Sequence, residues 1–168
     1  MKRSFVVVAA LAAACATGSS SQRDPAMFSY GAETFKARLD SRNEVPAPTL
    51  GPGADPTGTA TFTVNGTNVN YKLDVSGLSG PPTAAHIHMG APGVAGPVIV
   101  PLTLTAGSSP GTASGEGTID ASGVKGKKSD GSAMTMVDVL SAMRTGETYV
   151  NVHTANNKPG ELRGQIQK

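Results

Sequence analysis

Apolar and polar residues alternate along most of this chain. Phe35, Ala37 and Leu39 take turns with Lys36, Arg38 and Asp40, the period-two pattern of a strand with one buried face. Residues 59–64 alternate with Phe62 inward, and Val69, Tyr71, Leu73 and Val75 alternate on the way back. Asn65-Gly66 stands between them, and such a pair favours a tight hairpin turn because its central residues need positive φ. Further strands are predicted around residues 85–88, through Val98, Val100, Leu102 and Leu104, and over 115–119, 148–153 and 162–166. One stretch departs from period two. Met136, Val137, Leu140 and Met143 suit one face of a short helix near 133–145, capped by Asp130 or Ser132 and ended by Gly146. Many short strands joined by Gly- and Pro-rich loops predict an all-β fold, an antiparallel β-sandwich.

The N-terminal stretch reads differently. Met1-Lys2-Arg3 and the apolar run over residues 5–14 have the form of an export signal, and the run is too short to span a bilayer. Ala12-Ala13-Ala14-Cys15 resembles a bacterial lipoprotein signal, in which that cysteine carries the lipid; Leu11 stands one place further upstream than the usual leucine. Ordinary signal-peptidase cleavage at the alanines is the alternative. The expected division is a signal over 1–14, a flexible tether over 15–32 and one domain over 33–168. The expected location is the bacterial cell envelope, as a membrane-anchored periplasmic or surface lipoprotein. Membrane lipid is then a partner through acyl chains on Cys15.

The whole chain carries 14 basic and 12 acidic residues. Loss of the signal removes Lys2 and Arg3, so the two signs become equal and no net charge draws the domain to nucleic acid. Lys125, Lys127 and Lys128 form a small basic knot in a Gly- and Ser-rich loop without aromatic neighbours, which reads as a solvated turn. Cys15 is the only cysteine, so the domain has no internal disulfide and relies on its apolar core.

Chemical capacity is concentrated in three histidines, His86, His88 and His153. His86 and His88 are two apart on a predicted strand, so both project from the same face. Ile87, Val150 and Val152 claim the core, which leaves the histidines, Tyr149 and Asn151 on the opposite face. In the last strand Leu162, Gly164 and Ile166 face inward, and Glu161, Arg163 and Gln165 face outward. If the strands are neighbours, three imidazoles converge, and neutral imidazole is a good ligand for copper or zinc. Glu161 or Glu44 then supplies a fourth ligand or orients a histidine through its second nitrogen. The competing reading is structural, with the imidazoles bonded to carbonyls of the glycine loop after Gly90 and of the turn over 156–160. Arg163 reads as a structural clamp, paired with Glu44 or another carboxylate. The methionines read as core packing, with Met89 alone close enough to the histidines to suggest a thioether ligand. No nucleophile is visibly placed with a histidine and an acid, and no carboxylate pair suggests acid–base chemistry.

Four segments together resemble the CHRD domain family, named after chordin. They are Leu39 to Pro46 with Asn43-Glu44-Val45-Pro46, then Ala84-Ala85-His86-Ile87-His88 with Gly90, then Gly96-Pro97-Val98, and the tail from Tyr149 through Gln165-Ile166. The resemblance covers residues 34–167. It implies a β-sandwich of immunoglobulin-like or superoxide-dismutase-like architecture, and it carries the family's histidine and Glu-x-Arg-Gly-Gln positions onto His86, His88, His153, Glu161, Arg163, Gly164 and Gln165. The growth-factor-binding modules that accompany such domains in chordin are cysteine-rich, and nothing here corresponds to them. Three histidines also fall short of a dinuclear copper–zinc centre. The expected function is an exported, lipid-anchored, non-enzymatic structural or binding domain. The alternative is a mononuclear copper or zinc site with redox capacity.

Overall fold

The structure, a computed structural model, describes residues 33–168. The signal, Cys15 and the tether lie outside the described residues. Nine strands and one helix follow in chain order: β1 (Thr34–Asp40), β2 (Thr57–Asn65), β3 (Asn68–Ser76), β4 (Pro82–Met89), β5 (Val98–Leu102), β6 (Thr105–Ala106), β7 (Ala113–Ile119), α1 (Met136–Arg144), β8 (Thr148–Thr154) and β9 (Leu162–Gln165). They form one sheet in the order β5-β4-β8-β9-β1-β2-β3-β7-β6, and every pairing is antiparallel. The all-β class with a short helix is therefore as expected.

The sheet is continuous and curls until β5 meets β7. β5 and β6 close the order at opposite ends, yet only Thr103 and Leu104 separate them in the chain, so the chain itself joins the two edges. Tyr71 on β3 secures the join by accepting the Thr103 N–H at 2.8 Å. A side chain at Gly115 would overlap the Thr103 carbonyl, so glycine is what lets the edges approach. Curling encloses one core, to which Phe35, Phe62, Leu73, Ile87, Val150 and Leu162 contribute fully buried side chains.

Three local expectations need correction. The hairpin pairs Asn65 with Asn68, so its loop is Gly66-Thr67 and not Asn65-Gly66. Only Gly66 takes positive φ (62°), the requirement of a turn with glycine at its first central position, and the shift sets Val64 against Val69 in the core. In β5 the alternation fails: Ile99 and Val100 are both buried while Val98 is 39% exposed. Val98 pairs with His88 and Val100 with Ile87, so Ile99 is the extra residue of a β-bulge. The helix begins one turn later than Asp130 or Ser132 would set it. Thr135 is its N-cap in a capping box with Asp138, and Gly146 (φ 71°) follows its C-cap. Its buried face is Met136, Val139, Leu140 and Met143, so Val139 replaces the expected Val137, which is exposed.

The last strand keeps its predicted faces but not its predicted exposure. Leu162 and Ile166 enter the core, and Glu161 (0% exposed) and Arg163 (2%) are buried as well, on the other side. Loops cover this second face, so the β4-β8-β9 region has an apolar layer beneath it and a polar layer above.

Candidate functional site

Strand pairing brings the histidines together. His86 and His88 share one face of β4, and β8 lies beside β4. The register sets His86 opposite Asn151, His88 opposite Tyr149, and Ala84 opposite His153. His153 is then diagonal to His86 on the same face, a separation that ring-sized side chains bridge. His86 Nδ1 lies 3.1 Å from His153 Nε2. One ring nitrogen from each of the three residues belongs to a group whose members lie within 4.8 Å of one another. An ion with bonds of ~2.0–2.1 Å in tetrahedral geometry separates its nitrogen ligands by about 3.4 Å, so small side-chain adjustments convert this group into a ligand set.

The backbone fixes two of the tautomers. His88 Nδ1 lies 2.8 Å from the Gly96 carbonyl oxygen, and His153 Nδ1 lies 2.9 Å from that of Lys158. A carbonyl only accepts, so both Nδ1 atoms carry a proton, and in the neutral form of each ring the lone pair is on Nε2. His88 Nε2 is buried and has no hydrogen-bond partner among the described residues. Outer hydrogen bonds of this kind orient metal-ligating histidines. Burial, reinforced by His153 and His88, pushes His86 down to about 4. Burial also lowers His88, against the Gly96 carbonyl and with help from His153 and Arg163. At neutral pH these two rings are uncharged and able to ligate.

Around the histidines stands a clamp on the loop between β4 and β5. The Tyr149 ring stacks on His88 with centroids 4.9 Å apart and planes 18° apart. Arg163, from the strand on the other side of β8, holds its guanidinium carbon 3.5 Å from the centroid of that ring. Arg163 donates to the carbonyls of Ala91 and Val94, each at 2.9 Å. The Tyr149 hydroxyl accepts the Gly96 N–H at 3.1 Å, and Gln165 donates to the Gly90 carbonyl at 2.8 Å. Where a carboxylate partner is expected for Arg163, the structure places carbonyls; it makes no ion pair with Glu44 or any other carboxylate among the described residues.

The two glutamates do not join the ring nitrogens. Glu161 accepts from the Ser79 N–H and hydroxyl and from Thr154, each at 2.6 Å, and from Asn157 at 2.9 Å. Burial raises its pKa, the donors outweigh that, and the carboxyl sits below the ordinary value. It is a buried anion that ties three segments together and stands outside the group of ring nitrogens. Glu44 accepts from its neighbour's N–H at Val45 (3.0 Å) and from Asn151. Burial raises its pKa, opposed by those two bonds and by the charges of Arg163 and His153. Through Asn151, the cross-strand partner of His86, Glu44 supports the floor of the site. Met89 packs against the core, on the face opposite His88, and offers no thioether.

The sequence places Tyr149 and Asn151 on the histidine face without a role, and it points neither to Ser79 nor to the Asn157 side chain as a partner of Glu161. Tyr149 and Asn151 were within reach, because both sit at His153 parity on β8. Ser79 and Asn157 lie in loops and carry no periodic signal.

An antiparallel β protein with a polar layer of histidines and a clamped glycine loop is the class that fold and site define. The family model described as the CHRD domain matches residues 35–166, and the chain belongs to that family. No curated protein and no solved structure matches it. Membership carries the coarser functional statement, that of a binding or structural domain.

Proposed function

We propose that this chain is an exported, lipid-anchored, non-enzymatic binding domain whose ligand is one copper or zinc ion held by His86, His88 and His153. The observation that carries this reading is the trio of ring nitrogens within 4.8 Å, two of them with tautomers set by backbone carbonyls. Such a set binds metal without rearranging the loops. The export signal and Cys15 support the anchor, since lipid on that cysteine would hold the domain at a membrane surface.

Elemental analysis of protein purified from its exported compartment tests the ligand. The expected result is close to one equivalent of copper or zinc, lost in the His88→Ala/His153→Ala double variant. Full metal content in that variant would overturn the site. The carbonyl bonds of His88 and His153 also favour a second reading, in which the imidazoles only pin the loops. That reading gains if the native protein is metal-free and excess chelator leaves its unfolding temperature unchanged. The anchor is tested by phase partitioning: the native chain should enter detergent and a Cys15→Ser variant should not.

A further inference from the structure

We infer that the three-histidine site selects a monovalent soft ion, copper(I), over divalent ions. This deepens the metal reading above and rests on it. The reason lies in charge. All three donors are neutral imidazoles, so the bound ion keeps its full charge unless an anion stands near. Neither nearby glutamate coordinates the ion, although Glu44 lies close enough to His153 for their charges to interact. The oxygens of Glu161 are occupied by Ser79, Thr154 and Asn157, and those of Glu44 by the Val45 N–H and Asn151. Neither carboxylate belongs to the group of ligand atoms.

A fixed positive charge stands close by. The Arg163 guanidinium is 2% exposed, makes no ion pair among the described residues, and is separated from His88 by the Tyr149 ring alone. Its hydrogen bonds go to neutral carbonyls, and Glu44 acts on it through charge without forming an ion pair. A divalent ion brings twice the repulsion with this guanidinium that a monovalent ion brings, in a half-buried setting where charge is poorly screened. Coordination number acts in the same direction. Three nitrogens satisfy copper(I), whereas zinc completes four ligands by taking a water or an anion from solution.

Silver(I), a redox-inert monovalent probe, and zinc(II) are titrated separately into the exported native protein at pH 7 in non-coordinating buffer. Copper(I) is measured against a chromophoric copper(I) chelator. Silver(I) and copper(I) should each bind one equivalent, roughly a hundredfold more tightly than zinc. Zinc binding as tight as silver would overturn the selectivity and leave the three-histidine site intact. No binding by any of the three ions would overturn both. A carboxylate added beside the ligands isolates the charge argument. Ala84 faces His153 across the strands. Ala84→Asp should raise zinc affinity by roughly tenfold or more and silver affinity by only about threefold. An unchanged zinc affinity in a folded Ala84→Asp protein would overturn the electrostatic basis of the inference.

Discussion

Each of the three imidazoles has two nitrogens, and the backbone decides what one of them does in two cases. His88 and His153 give Nδ1 to loop carbonyls; His153 turns Nε2 toward His86 Nδ1, and His88 keeps Nε2 buried and without a hydrogen-bond partner among the described residues. The structural and ligating readings of these residues therefore use different atoms of the same ring. Gly96 shows how tightly the loop must seat to make this work. A side chain there would overlap the Met89 carbonyl oxygen, with no flexible group able to yield. Gly96→Ala should cost about 3 kcal/mol, read from chemical denaturation. It should also weaken metal binding, because the Gly96 carbonyl orients His88. A variant as stable as the native protein would mean that the loop can reseat.

Among the elements, α1 sets the rear of the site although none of its residues belongs to it. The chain leaving the helix supplies the Glu147 carbonyl to the Gly90 N–H at 2.8 Å and the Gly146 carbonyl to Gln165 at 2.7 Å. The capping box at Thr135 anchors the other end, where Asp138 accepts from the Thr135 hydroxyl at 2.7 Å and N–H at 2.8 Å. Thr135→Ala removes that hydroxyl and should destabilise the protein by ~1 kcal/mol, seen as a lower denaturation midpoint at unchanged slope. Strand periodicity made most elements legible in advance, including the parity that puts His86, His88 and His153 on one face. The bulge at Ile99 was not legible, because it answers to the pairing of β5 with β4 rather than to anything in β5 itself. The helix cap was misplaced for a related reason: Asp130 bonds the Ser132 N–H and hydroxyl in a turn of its own, and a short polar side chain suits a turn as well as a cap.

For the whole molecule, pH is the most direct probe. His86 is held near 4 when folded against 6.5 when free, mainly by burial. The unfolded chain then takes up its proton first as pH falls, so the contribution is fully present above 6.5 and is lost progressively toward about 4. Glu161, held below 4.5, adds a further loss once pH drops below that value. Glu44 has the opposite sign, since its raised pKa favours the folded state as acid protonates it. Thermal unfolding between pH 7 and 4 should show falling stability, and His86→Asn should flatten the upper part of that curve. An unchanged curve in the variant would place the titration elsewhere. Bound metal at a hundredfold excess over its Kd should add about 2.7 kcal/mol at pH 7, and the increment should shrink as protons compete for the rings.

Alternation alone determined the all-β class and the common face of the histidines, while the resemblance to CHRD domains lay in particular motif residues. The class and the common face follow from period-two burial, which each strand carries in its own residues. The partners of polar side chains were decided only by the tertiary structure. Nothing local tells Glu161 that Ser79 and Asn157 will reach it, or tells Arg163 that carbonyls of the 90–97 loop will replace a carboxylate. Such choices depend on which loops fold over the face, and a buried charge takes whatever donors or acceptors that closure brings within about 3 Å.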